Sequence, residues 1–300
     1  MKRSWTIIAP AALALVLTAA CRDESQTTDP VNDPVRTIGG DRPATLMLPN
    51  GYERVSAIPL VIVLHGFTSN AGRTDRYFGI SQRIEPDRIA VILPNGTRDD
   101  QDRSFWNGTD YCCDLGGSGV DDVGYLNGLV AEAGEHMSID GVYLIGLSNG
   151  GFMSYRMACE SMPGLRAIAP VAGATFSDPA KCEGARPVSV LHIHGTADRT
   201  IRYAGGGGRD GRPSYPGAEE SVHRWATRAG CDMEAAETMP SLDLVEALPD
   251  EETDVTSYDT GCDDGLRVEL WTIEDGGHVP GFNADDFGER VVAWFMGAGG

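Results

Sequence analysis

Basic charge is scarce in this chain of 300 residues: 24 Lys and Arg stand against 44 Asp and Glu, a formal net charge of −20. A surface of that sign argues against nucleic acid as a partner and against adsorption to anionic lipid. The 7 cysteines include no Cys-x-x-Cys, and no His pair stands nearby at zinc-ligand separation, so no metal site is expected. No Pro-, Gly- or Ser-rich linker divides the middle of the chain, which favours one domain over two. The run Gly205-Gly206-Gly207-Gly208 lacks the strand, Lys and Ser/Thr context of a phosphate cradle, so it is expected to be a mobile loop. Nothing else calls for a cofactor.

What is present begins with Met1-Lys2-Arg3, an apolar run from Ile7 through Leu17, and Thr18-Ala19-Ala20-Cys21. A basic start, an apolar stretch too short to span a bilayer comfortably and small residues before a cleavage point describe an export signal over residues 1–21. Cys21 resembles the lipidated cysteine of a bacterial lipobox, although Thr18 stands where Leu is usual and Leu17 comes one position early. Plain cleavage near Ala20 is the alternative. A lipid on Cys21 would be the one membrane attachment expected. Residues 22–36, rich in Asp, Thr, Gln and Pro, cannot bury enough apolar surface to order themselves and are expected to be a tether.

Six cysteines remain: Cys112, Cys113, Cys159, Cys182, Cys231 and Cys262. An even count in an exported chain suits disulfides, and six cysteines permit fifteen pairings. The pairing expected is Cys159 with Cys182 and Cys231 with Cys262, leaving Cys112 and Cys113 joined as neighbours or otherwise paired.

Residues 37–297 alternate apolar strands and helical spacing. Pro59–Leu64, Ile89–Leu93, Val142–Ile145, Ala167–Val171 and Val188–Ile193 read as strands, with helices near Thr74–Ile84, Val120–Met137 and Ala218–Ala229. A last strand, Arg267–Ile273, and a closing helix from Ala284 to Met296 complete the series. Continuous apolar strands are covered on both faces, so the fold class expected is α/β, a mostly parallel central sheet with helices on both faces. Functional groups then belong at the carboxyl ends of the strands. The acidic stretch from Asp232 to Asp264 contains no Lys or Arg, follows no calcium-ligand spacing, and is expected to be a solvated surface insertion.

One turn organises the rest. Gly146-Leu147-Ser148-Asn149-Gly150-Gly151 follows a strand and opens a helix, which is the context in which Gly-x-Ser-x-Gly exposes a nucleophilic serine. A serine hydroxyl needs a base, and the base needs a carboxylate to fix its tautomer. Among six histidines, His278 alone follows the last strand in a Gly-rich loop, and Asp198 follows the strand ending at Ile193. Ser148, Asp198 and His278 in that chain order are the candidate triad. The backbone N–H groups of Asn149 and Phe67 are the candidate oxyanion donors, with His65 shaping the loop before Phe67. Trp106 and Tyr111 are candidates to line a substrate pocket, and plain packing under their loop is the competing assignment.

Together with His65-Gly66-Phe67-Thr68, Phe105-Trp106-Asn107, Val120-Asp121-Asp122-Val123-Gly124, His192-Ile193-His194-Gly195-Thr196-Ala197-Asp198 and Gly276-Gly277-His278, these motifs resemble the polyhydroxybutyrate depolymerase and feruloyl-esterase-like group of α/β-hydrolases. The resemblance runs from about Thr37 to Met296. It implies the α/β-hydrolase fold, the triad above, an exported location and ester substrates, polyester or plant polysaccharide among them. Two positions depart from the group: Val279 stands where relatives often carry Trp before Pro-Gly, and Phe67 where they often carry Cys. No separate polymer-binding domain is expected, which favours soluble or short-chain esters. An exported peptidase or amidase of the same superfamily, or a silent surface-binding module, are the rival expectations.

Overall fold

A computed structural model describes residues 1–2, 34–208 and 213–298. The expected export signal beyond Lys2, Cys21 and most of the expected tether lie outside the described residues. Pro34–Gly300 form one unit.

Ten strands make the central sheet: β1 Val35–Ile38, β2 Ala44–Met47, β3 Ala57–Leu64, β4 Ala90–Leu93, β5 Ser138–Leu147, β6 Leu165–Val171, β7 Ser189–Gly195, β8 Glu237–Leu242, β9 Thr253–Ser257 and β10 Val268–Ile273. Their spatial order is β1-β2-β4-β3-β5-β6-β7-β10-β9-β8. The middle of the sheet, β4 through β10, is parallel throughout. An antiparallel pair closes each edge.

The apolar runs of the sequence form this middle because each strand is covered twice. In β3, Leu60, Val61, Ile62, Val63 and Leu64 are all fully buried, each such side chain contributing about 1.5–3 kcal/mol by leaving water. Alternate residues serve opposite layers. Leu60, Ile62 and Leu64 pack beneath α2 Asp122–His136, α3 Asn149–Cys159 and α4 Ala218–Arg228. Val61 and Val63 pack against α1 Ala71–Phe78 and α5 Ala284–Gly297. All the parallel strands therefore discharge their carboxyl ends at one edge, where His65, Ser148, Asp198 and His278 follow in the connecting loops.

Four expectations need correction. The first helix starts earlier and stops sooner than periodicity suggests: Asn70 caps it by accepting from the Arg73 amide, and Gly79, in the left-handed region with φ 71°, ends it. A Cβ at Gly79 would lie 2.0 Å from the Ala284 carbonyl oxygen, so only glycine admits α5 there. The ordered domain begins at Val35, inside the expected tether, because β1 is an edge strand held by backbone pairing to β2 with only Ile38 buried. The acidic stretch is no loose insertion. It supplies β8 and β9, whose short alternation of Thr253, Val255 and Ser257 inward against exposed Asp254 is masked by the surrounding carboxylates. Finally, Gly206 and Gly207 pair with Tyr215 and Ser214 in a small ladder, so this part of the glycine run is a hairpin strand.

Among the described residues three disulfides join Cys112 to Cys113, Cys159 to Cys182, and Cys231 to Cys262; the last two are the pairs expected, and the first settles the alternative left open for Cys112 and Cys113.

Candidate active site

The turn after β5 is built by close backbone packing. A Cβ at Gly146 would sit 2.2 Å from the Gly150 carbonyl oxygen, and one at Gly150 would sit 2.1 Å from that of Leu64. Neither position admits a side chain, so the strand can turn directly into α3. Ser148 is driven to φ 54°, a left-handed conformation that costs a non-glycine residue of order 1–3 kcal/mol. The backbone is tied down on both sides: the Ser148 amide donates to the Val171 carbonyl at 2.8 Å, and the Phe152 amide donates to the Ser148 carbonyl at 3.0 Å.

The loops after β7 and β10 are stapled to each other. The Thr196 amide donates to the Ile273 carbonyl at 2.9 Å, the Ala197 amide to the Gly276 carbonyl at 3.0 Å, and the Asp275 amide to the Thr196 hydroxyl at 2.9 Å. Gly195 is required here, since a Cβ would lie 2.1 Å from the Gly276 carbonyl oxygen. Tyr77 on α1 braces the far side of the histidine loop by donating to the Pro280 carbonyl at 2.6 Å.

These constraints bring three distant side chains together. His278 Nε2 lies 2.9 Å from Ser148 Oγ, and His278 Nδ1 lies 2.7 Å from Asp198 Oδ2. Asp198 is buried, whereas His278 keeps 19% of its side-chain surface exposed. Burial alone would raise the Asp198 carboxyl. Hydrogen bonds from His194, His278 and the Thr200 amide, with the His278 charge, outweigh it and hold the group well below the usual carboxylate range. A fixed anion behind Nδ1 leaves Nε2 to take a proton from Ser148.

Opposite the serine runs the loop after β3. The Cβ position at Gly66 is 3.7 Å from Ser148 Cβ, so the chain at Gly66 passes directly beside Ser148. The Asn149 amide opens α3 next to it. The Asn149 amide is thus next to Ser148 in sequence, and the expected Phe67 amide belongs to the residue after Gly66. His65 is fully buried, its Nδ1–H donating to the Gly66 carbonyl at 2.8 Å and its Nε2 accepting from the Gly96 amide at 2.8 Å. Burial first, with the nearby charges of Arg42 and Arg98, lowers its pKa to about 4, so it remains an uncharged scaffold for the loop.

Trp106 does not line a pocket, contrary to expectation. It is fully buried, its indole N–H donates to the His65 carbonyl at 3.1 Å, and its ring lies 5.1 Å from that of His65. The physical reason is that a large ring with one polar atom finds both packing and a partner beneath the loop. Tyr111 is only half-buried and packs on Tyr215 and Phe152, with the Cys112–Cys113 pair in the same apolar cluster. It keeps part of its surface exposed, which Trp106 does not.

Sequence reasoning missed two supports of this site. The Asn149 side chain holds the Trp106 backbone, and Asp122 holds the Asn107 amide at 2.7 Å while pairing with Arg42 at 2.6 Å. Both residues stand in the recognised motifs, but nothing in a motif states which distant peptide a side chain bonds. Among the described residues no group of His, Cys, Asp and Glu is arranged to hold a metal.

No family model matches the chain. It is 27% identical over 248 residues to feruloyl esterase B of Piromyces equi, covering 80% of this chain and 43% of that protein. A bifunctional acetylxylan esterase/xylanase of Neocallimastix patriciarum is 24% identical over 270 residues, with 88% and 35% covered. Feruloyl esterase D of Neurospora crassa is 23% identical over 256 residues, with 81% and 75% covered. The chain thus spans less than half the length of the first two. Among solved structures, an acetyl xylan esterase from Aspergillus awamori superposes with a TM-score of 0.63 at 15% identity, covering 88% of this chain and all of that one. A thermostable esterase gives a TM-score of 0.55 at 13% identity over 89% and 63% of the two chains. The fold is that of the α/β-hydrolases, and the sequence similarity is to their feruloyl-esterase-like members.

Proposed function

We propose that this feruloyl-esterase-like α/β-hydrolase is an exported serine esterase that cleaves carboxylic esters carried on plant polysaccharide, feruloyl or acetyl groups foremost, with short-chain and hydroxybutyrate-oligomer esters as further substrates. The observation that carries the reading is the continuous hydrogen-bonded line Ser148, His278, Asp198 at 2.9 and 2.7 Å. Similarity to proteins named for feruloyl and acetylxylan esters supports the bond type.

His278 Nε2 takes the Ser148 proton as Oγ attacks the ester carbonyl. The resulting oxyanion accepts hydrogen bonds from the Phe67 and Asn149 amides, donors already oriented before charge develops. Collapse expels the alcohol, which leaves with the proton from His278 Nε2. Water, deprotonated by the same nitrogen, then attacks the acyl-enzyme and releases the acid and Ser148. Asp198 stays ionised throughout and supports the imidazolium formed in each half. Three disulfides support export, since such bonds persist in oxidising compartments. Residues 1–21 act as the signal, Cys21 as the candidate lipid anchor, and residues 37–297 as the catalytic domain.

The test is hydrolysis of p-nitrophenyl acetate and butyrate by the native protein and by Ser148→Ala, beside labelling by a fluorophosphonate probe. Loss of turnover and of labelling in the variant is expected. Near-native turnover by Ser148→Ala, or absence of labelling in the native protein, would overturn the reading. A panel of feruloyl, acetyl-xylan, hydroxybutyrate-oligomer and peptide substrates then ranks the bond cleaved, and peptides cut faster than any ester would reverse it.

A further inference from the structure

Asp198 is approached by two imidazoles, and the proposed mechanism uses only one. His194 Nε2 lies 3.3 Å from Asp198 Oδ2 and 2.8 Å from the Ile201 carbonyl oxygen. Behind it, His194 Nδ1 lies 3.1 Å from His192 Nε2, and His192 Nδ1 lies 2.8 Å from the Tyr155 hydroxyl. His192 and His194 share one face of β7 because they are two residues apart, and Tyr155 reaches them from α3. All three side chains are buried, with relative exposures of 0% for His192 and Tyr155 and 1% for His194.

With one proton on each imidazole, the pattern has a single solution. The Ile201 carbonyl can only accept, so His194 carries its proton on Nε2. His194 Nδ1 is then an acceptor, and His192 must donate to it from Nε2. That leaves His192 Nδ1 to accept from the Tyr155 hydroxyl. The donors of Tyr155 and His192 thus run toward His194, whose own Nε2–H closes on the Ile201 carbonyl at 2.8 Å with Asp198 Oδ2 beside it at 3.3 Å. Burial in the first place, and His194 in the second, hold His192 well below its ordinary pKa, which favours the uncharged ring that this row requires. The amides of Thr200 and Ile201 occupy the other carboxylate oxygen at 2.8 and 2.9 Å.

We propose that His194, backed by His192 and Tyr155, is a positioning residue: it fixes the rotamer of Asp198 and draws off part of its charge, and so sets the basicity of His278. The inference rests on the serine-esterase reading above. A carboxylate relieved of the His194 donor exerts its full field on His278 and makes the imidazolium easier to form. The other groups facing this row are Tyr203, whose ring stands edge-on 5.7 Å from that of His194, and Glu219, 3.4 Å from the Tyr203 hydroxyl. Neither hydrogen-bonds to Asp198.

The experiment measures kcat, KM and the pH profile on p-nitrophenyl butyrate for His194→Leu, His194→Gln and Tyr155→Phe, each normalised to sites titrated with a fluorophosphonate. His194→Leu is expected to lower kcat per titrated site about tenfold, the lower end for partners that orient a group from behind. KM should stay within about twofold, and the acid limb of kcat/KM should move to higher pH. His194→Gln restores a donor near Nε2 and should recover most of the rate. Tyr155→Phe, which removes only a hydroxyl at the far end, should move the limb the same way by less. A purely structural role predicts fewer titratable sites and a lower Tm with kcat per site and the acid limb unchanged, and that result overturns the proposal. If His194→Leu does not accumulate, an unmoved limb in Tyr155→Phe overturns it on its own. A native protein that the probe fails to label removes the esterase reading itself, a distinct outcome from labelled enzyme with unaltered profiles.

Discussion

The side-chain amide of Asn149 closes two hydrogen bonds on the backbone of Trp106, accepting from its N–H at 2.7 Å and donating to its carbonyl at 2.9 Å. The residue whose own amide is a proposed oxyanion donor thereby grips the segment whose indole braces the His65 carbonyl. The two walls of the proposed oxyanion site are joined through a fully buried ring.

Replacing Asn149 by Ala should therefore act on stability and rate together. The Trp106 amide would lose its partner in a dry environment, at about 1–3 kcal/mol for a group left unsatisfied, while the carbonyl would keep the Cys113 amide at 3.2 Å. A thermal melt should show Tm lower by several degrees, and kcat should fall although the backbone donor survives. An unchanged melt would show that water or a local shift satisfies the Trp106 amide.

Asp198→Asn should leave the fold intact and cost about 10,000-fold in kcat, because an amide stabilises the wrong His278 tautomer. In the native protein the folded-state carboxyl lies below its unfolded value. Its stabilisation is thus complete above the ordinary carboxylate range, about pH 4, and is lost as acid carries the group through its lower folded value. Melts taken from neutral pH downward should show a drop that begins below about pH 4 and is shallower in Asp198→Asn. Activity should fail at higher pH than stability does, since His278 must be free of a second proton to act as base.

Two glycines should respond with opposite signs to the same change. Gly150→Ala places a methyl 2.1 Å from the Leu64 carbonyl oxygen, and a loss beyond about 4 kcal/mol, or no soluble protein, is expected. Gly128, exposed on α2, has nothing within 4 Å of the added carbon. Gly128→Ala should stabilise by about 0.5–1 kcal/mol, seen as a Tm raised by a few degrees.

The Cys231–Cys262 bond closes a loop of sequence separation 31 that encloses nearly the whole acidic segment. Replacing both cysteines by Ser should cost about 3–4 kcal/mol and lower Tm. Ester hydrolysis at low temperature should persist, since β8 and β9 form the sheet edge beyond β10. Loss of activity in a still-folded double variant would mean that this edge reaches the site after all.

Much of this molecule is written in local pattern. The buried stretches of strands such as β3 and β5 are legible because a parallel strand covered on both faces reads as a near-continuous apolar run there. The elbow at Ser148 is legible because only glycine tolerates the contacts at positions 146 and 150. Where the pattern failed, backbone pairing or capping decided. β1 has one buried residue, β9 hides among carboxylates, and α1 obeys Asn70 and Gly79 over its periodicity.

By itself, the order of residues determined the α/β layering, the chain order Ser148, Asp198, His278 and the loops that carry them, since each depends on neighbours within a few positions. Only the tertiary structure decided that Trp106 is a buried brace, that Asn149 holds it, and that His192 and His194 stand in file behind Asp198. Those outcomes join segments up to 43 residues apart. Hydrogen bonds of a few ångströms between such segments depend on how the layers pack, which no short stretch of sequence encodes.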